Sequence, residues 1–322
     1  MSVAERVQAR LDAKTKPRGS LGRLEELAVR IASIVGEENP RRLEAAVVVA
    51  AGDHGVAAEG VSAYPQEVTR QMVANFESGG AAVSVLARQA GARVVVVDAG
   101  VGRPTGNIAV GPALSRDEAE GLIARGRADA ARLRADGVRV VVPGEMGIAN
   151  STVAAALASV LTGADPDEVC GPGTGLAAEG VAHKVAVVRR ALAANPVDAA
   201  DGAGVLAALG GRELAYLAGL VLGAHEARMV VLLDGFISST AALAATRIDP
   251  AVQASLIAAH RSPEPGHAHV LAALDLRPLL ELDLRLGEGS GGALALPLLA
   301  AALAILDEMA TFEAAGVTDA GR

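Results

Sequence analysis

Five short runs of small and β-branched apolar residues recur along the chain, and each ends abruptly in Gly, Asp, Glu or His. They are EAAVVVAAGDHG, ARVVVVDAGVG, VRVVVPGEMGIANST, ARMVVLLDGFISST and, less cleanly, ASLIAAHRSPEPGH. Near-continuous apolar runs of this length fit strands of a parallel sheet covered on both faces, where neither side of the pleat meets water. Between them the apolar positions take a helical period, over Pro65 to Gln89, Ser115 to Ala135, Val153 to Leu161, Leu176 to Ala194 and Glu213 to Ala224. Strand, polar loop and helix in alternation predict an α/β doubly wound fold. Ligands of such folds sit beyond the carboxyl ends of the strands, so the five polar clusters belong to one candidate site.

The two ends of the chain differ from this pattern. Residues 1–36 and 289–322 read as helical without strands, and predict a small helical subdomain drawn from both termini beside a 37–288 domain. The longest apolar run, Ala293 to Leu306, contains Pro297 and is shorter than the roughly 20 residues of a spanning helix, so it predicts a buried helix and no membrane partner. The N-terminus MSVAERVQARLDAKTKPRG is charged and has no apolar stretch of a secretory signal, which gives a cytoplasmic expectation.

Composition narrows the partners. With 51% hydrophobic and 20% charged residues the 322-residue chain is built to bury a large core. A net charge of −8, two Tyr, three Phe and no Trp argue against nucleic acid, which needs cationic surface and stacking rings. The single cysteine, Cys170, cannot form an internal disulfide, and no Cys/His spacing suits zinc, so no metal is expected. Lysine occurs only at Lys14, Lys16 and Lys184 in an arginine-rich chain, a weak hint of specific roles.

Several loops could carry chemistry. PGEMGIANST, Pro143 to Thr152, turns from a strand into a helix that Asn150, Ser151 or Thr152 can cap, and such a start attracts anions. Glu145 in that turn reads equally as a backbone-bonded residue or a substrate contact. CGPGTGL places Gly171, Gly173 and Gly175 before a helix containing Lys184; this is not a Walker A motif, because no lysine follows the glycines directly. Ser62, Tyr64 and Gln66 stand at the mouth of a third helix and could wall a pocket for a flat heteroaromatic ring. Asp234 ends a strand and could bond a helix start or a ligand hydroxyl. HRSPEPGH suggests a rigid loop with hydrogen-bonding histidines more than a metal site. Cys170 reads as a small buried residue. Glu288 in RLGEGSGG divides between a turn residue and a general base, and only partial burial and a ligand nitrogen within reach would make it a base.

Taken together, KPRGSLGRLEELA, AGDHGVAAEGVSAYPQEVTRQMVANFESGGAA, GEMGIANST, GPGTGL followed by HK, LGGRELAYLAG, LDGFISSTAAL, HRSPEPGH and LGEGSGGALALPLL resemble, in order and over nearly the whole chain, the nicotinate-nucleotide–dimethylbenzimidazole phosphoribosyltransferase (CobT) family. The resemblance implies a Rossmann-like sheet with the small helical subdomain, and a homodimer. It implies transfer of phosphoribose from nicotinate mononucleotide to 5,6-dimethylbenzimidazole, without cofactor or metal, giving α-ribazole 5′-phosphate and nicotinate. Glu288 would be the base; Glu145, Gly147, Gly173, Thr174, Gly175, Lys184 and Ser262, with Asp234 close by, would hold the phosphoribose and nicotinate. Ser62, Tyr64, Gln66 and the backbone around Leu286 would hold the benzimidazole. Two departures stand out: Ala149 where the family often has glycine, and Ser290 with Gly292 where Thr and Ala are usual. A nicotinamide-dependent oxidoreductase would need GxGxxG after the first strand, and VVVAAGDHGVAAEG lacks it. A nucleotide-binding sensor without turnover is the other alternative, and it would be expected to lose Glu288.

Overall fold

The five apolar runs form one sheet. The computed structural model describes residues 1–318, and its strands are β1 (Glu44–Gly52), β2 (Arg93–Gly100), β3 (Val138–Met146), β4 (Val230–Leu233) and β5 (Leu256–Ala258). All neighbours pair in parallel, in the order β2-β1-β3-β4-β5. Strand order reverses between β1 and β3, which opens a crevice at their carboxyl ends. A further parallel pair joins His260–Arg261 to Leu280–Glu281.

Alternation along the strands explains why the apolar runs are unbroken. Val48, Ala50, Val141, Val231 and Leu233 pack against helices 116–135, 150–162, 212–226 and 236–248 on one face. Val47, Val49, Val140, Val142, Val230 and Leu232 face the other way, onto residues of helices 3–12, 23–35, 82–90 and 290–308. Neither set of side chains reaches water, so both alternate positions must be apolar.

The terminal segments meet. Helix 3–12 packs on 23–35 and, more lightly, on 290–308, and Lys14 bridges Thr311. Their Val7, Leu11, Ile31, Leu299 and Leu306 belong to the same hydrophobic cluster as the back face of the sheet. The apolar run near the C-terminus extends further than the sequence suggests, to a 19-residue helix Ser290–Glu308, which is long and apolar enough by composition to cross a membrane. About half of it, 56%, is buried inside the protein, with Ala293, Leu299 and Leu303 inward.

Two local expectations change. The helix expected over Pro65 to Gln89 is two, Glu67–Glu77 and Ala82–Ala90, separated at Gly79 and Gly80. The helix after β3 has no side-chain cap: its N-cap is Ala149, whose φ of 75° lies in the left-handed region. That conformation costs a residue with a Cβ about 1–2 kcal/mol, which is a physical reason for glycine to be frequent there.

Candidate active site

The carboxyl ends of β3, β4 and β5 open into a cavity of about 270 Å³. Of the residues singled out in the sequence, Tyr64, Glu145, Gly147, Asn150, Ser151, Gly173, Thr174, Ser262 and Leu286 line it. Tyr64 and Leu286 stay 54% and 56% exposed at this cavity, unusual for such side chains and suited to flanking a flat ring.

Glu288 follows Gly287, which lines the cavity, and is not itself among the lining residues. Gly287, Glu288 and Gly289 have φ of 81°, 65° and 87°, three successive left-handed residues. Glycine takes this geometry without cost, whereas Glu288 is strained, and the surrounding structure must hold it there. Ser290 Oγ donates to the Gly287 carbonyl at 2.7 Å, and Gly289 and Gly292 N–H donate to the Asp234 carboxylate at 3.1 and 3.0 Å. Glu288 is 5% exposed, and its Oε2 has no protein partner. Burial, and after it the negative Asp234, push its pKa up to about 7.

Glu145 is the second buried carboxyl. Burial raises its pKa to about 8, with Asp234, Glu213 and Glu288 acting the same way and the Asn150 amide opposing. Asn150 Nδ2 donates to Glu145 Oε2, so the residue expected to cap the helix instead orients this carboxyl.

A buried lysine stands beside the glycine loop. Lys184 is 1% exposed, and its Nζ donates to Ser151 Oγ at 3.0 Å and to the Gly171 carbonyl at 2.9 Å. An ammonium has three donors, which leaves one for a ligand beside Gly173. Desolvation lowers the Lys184 pKa, and a bound anion would restore it. Glu264 fixes the same turn by accepting from Gly173 N–H at 2.9 Å. His267 Nδ1 accepts from Ser262 N–H at 2.9 Å, so the imidazole is the neutral Nε2–H tautomer, and burial holds its pKa down at about 3.

Of the expected site residues, Ser62, Gln66, Gly175, Lys184, Asp234 and Glu288 are not among those lining the cavity. Ser62 Oγ lies 3.3 Å from Thr174 Oγ1, joining the Tyr64 loop to the glycine loop. Gly175 lies in that loop with φ of 106°. Gln66 lines a separate depression with Asp53 and Arg70, and donates to the His54 carbonyl at 3.4 Å. Asp234 is 2% exposed behind the Glu288 turn. Burial pushes the Cys170 thiol up to about 11, which leaves it inert at neutral pH.

Sequence reasoning did not single out Phe236, Ile237, His260, Glu264 or Arg285, all of which line the cavity. Glu264 and His260 lie within HRSPEPGH, but only the fold shows that they turn inward to the cavity. Of the departures, Ser290 makes a hydroxyl contact that threonine could also make, whereas a methyl at Gly292 would press on Val142. Among the described residues no group of three or more His, Cys, Asp or Glu is arranged to hold a metal ion.

The chain is similar over nearly its whole length to known phosphoribosyltransferases. A family model described as phosphoribosyltransferase matches residues 1–317. A Pseudomonas fluorescens protein named nicotinate-nucleotide–dimethylbenzimidazole phosphoribosyltransferase is 49% identical over 98% of this chain and 94% of its own length. A Chloroflexus aggregans protein of the same name is 50% identical with the same coverage. The crystal structure of CobT from Thermus thermophilus superposes with a TM-score of 0.94 at 47% identity, over 98% of this chain and 99% of that one.

Proposed function

The chain belongs to the nicotinate-nucleotide–dimethylbenzimidazole phosphoribosyltransferase family, and from that premise we propose that it transfers phosphoribose from nicotinate mononucleotide to 5,6-dimethylbenzimidazole with Glu288 as the general base. The enzyme is a pentosyltransferase acting in assembly of the cobalamin lower ligand. The observation that carries the residue assignment is the buried Glu288 carboxylate without a protein partner, next to Gly287 of the cavity lining, with Lys184 beside Gly173 of the same lining.

The chemistry follows from these groups. One ring nitrogen of the benzimidazole attacks the ribose C1′ while the C1′–N bond to nicotinate breaks, and its electron pair returns to the pyridine nitrogen. Attack from the opposite face inverts C1′, turning a β-nucleotide into an α-nucleotide. The second ring nitrogen becomes acidic as the ring gains positive charge, and a carboxylate with a pKa of about 7 is matched to take that proton near neutral pH. Departing nicotinate is already a pyridinium and needs no acid.

Lys184, Ser262 and the loop Gly173, Thr174 and Gly175 form the phosphate end, with Glu145 and Gly147 at the ribose. Ser62, Tyr64 and Leu286 form the benzimidazole end; Gln66, which opens into a separate depression, stands apart from them. Residues 1–36 with 289–322 are the helical subdomain beside the 37–288 catalytic domain; residues 319–322 lie outside the described structure. The exposed Val85, on a helix packed against 290–308, and the exposed Pro297, Ala300 and Ala301 form an apolar face suited to a homodimer. A reduced Cys170 fits a cytoplasmic location.

Nicotinate release measured with Glu288→Gln tests the reading. Turnover falls by ~10²-fold or more if Glu288 is the base, and wild-type turnover would refute the assignment.

A further inference from the structure

We propose that Asp234 is a positioning residue for Glu288 rather than a ligand of the phosphoribose. This rests on the reading that Glu288 is the base. Asp234 follows the last residue of β4, and both of its carboxylate oxygens are engaged: Oδ2 accepts from Gly289 N–H at 3.1 Å and Oδ1 from Gly292 N–H at 3.0 Å. From the other side His260 Nε2 stands 3.6 Å from Oδ1. The residue is 2% exposed and does not line the cavity, and each of its oxygens already accepts from the backbone of the helix start.

The two N–H groups it takes belong to the start of helix 290–308, where backbone donors have no partner within the helix. They also flank the turn that carries the base. Glu288 has a φ of 65° and a carboxylate oxygen without a protein partner, so nothing in its own side chain keeps it there. Asp234 therefore fixes the turn at the residue after Glu288 and again three residues further on. It ties the end of β4 to the catalytic loop, and misplacement of a reacting group by about 1 Å can cost ~10²-fold in rate.

Its charge acts on the same group. The charged residues that act on Glu288 are Asp234, just after β4, and Glu145 from β3; His260, beside Gly291, and Arg285, on the same loop, line the adjoining cavity. Asp234 is the neighbour that raises the Glu288 pKa, second only to burial.

The test compares Asp234→Asn, Asp234→Glu and Glu288→Gln in the full-length enzyme, by steady-state kinetics over pH and calorimetric binding of nicotinate mononucleotide. With Asp234→Asn, nucleotide Kd and KM are expected to stay within ~2-fold while kcat falls ~10-fold or more. The acid limb of kcat/KM moves to lower pH, because removing a negative neighbour favours ionised Glu288. Retained nucleotide binding shows that the variant is folded. Asp234→Glu keeps the charge, so its acid limb stays near wild type although kcat drops. A tenfold rise in nucleotide Kd and KM, with kcat and acid limb unchanged, would make Asp234 a ligand and overturn the inference. So would a kcat loss with an unmoved limb in Asp234→Asn. If Glu288→Gln loses turnover while the Asp234 variants behave as wild type, only this inference fails; if Glu288→Gln keeps wild-type turnover, the base assignment fails first.

Discussion

Replacing Glu288 by glutamine should stabilise the protein at alkaline pH while disabling it. The carboxyl pKa rises from 4.5 to about 7 in the fold, so the native state binds its proton more tightly than the unfolded chain does. Stability from this group is therefore fully present below about pH 4.5, drains as pH rises towards about 7, and stays low above that. At 1.4 kcal/mol per tenfold change in proton affinity, the ionised carboxylate costs ~3 kcal/mol at pH 8. Glutamine keeps the shape and the backbone conformation without the charge. At ~2.1 cal/mol/K per residue over this chain, ~3 kcal/mol corresponds to a Tm gain of ~4 °C. Calorimetric scans of wild type and Glu288→Gln at pH 5 and pH 8 read it directly. The variant gains at pH 8 and little at pH 5. An equal Tm difference at both pH values would mean that the carboxylate is not held against its own solvation, and would remove the physical basis for a base of raised pKa.

Further consequences can be checked separately. Lys184→Ala removes a charge-assisted phosphate contact worth ~2 kcal/mol, so KM for nicotinate mononucleotide should rise ~30-fold with a smaller change in kcat; an unchanged KM would take Lys184 out of the site. Cys170, with its thiol pushed to about 11 by burial, should resist iodoacetamide at pH 8 in the folded enzyme and react on denaturation. Rapid labelling of the native protein would show that the segment before Gly171 opens.

Much of the architecture was legible because burial on both faces leaves a plain mark on strands: VVV and VVLL read as sheet strands without any structure. The loops after them were legible as a set, since a parallel sheet brings all carboxyl ends together. Less visible was which loop residue turns inward. Gln66 stood beside Tyr64 in sequence yet opens into another depression, because the start of the following helix rotates successive side chains to different sides. Asn150 looked like a helix cap, and became a partner of Glu145 because left-handed Ala149 starts the helix. Arg285 and Glu264 reach the cavity through long-range loop contacts, to the Gly173 carbonyl and to Gly173 N–H, that no local spacing encodes. The role of Asp234 was half legible: a strand-end acid bonding a helix start was one of its two readings, and the helix proved to be one that begins far downstream, at Ser290.

The central claim is best tested by incubating the purified protein with nicotinate mononucleotide and 5,6-dimethylbenzimidazole and determining the product by mass and NMR. One nicotinate should be released per nucleotide formed, with an α-configured C1′–N bond in α-ribazole 5′-phosphate. A β-configured product, or tight nucleotide binding with no nicotinate released, would contradict it.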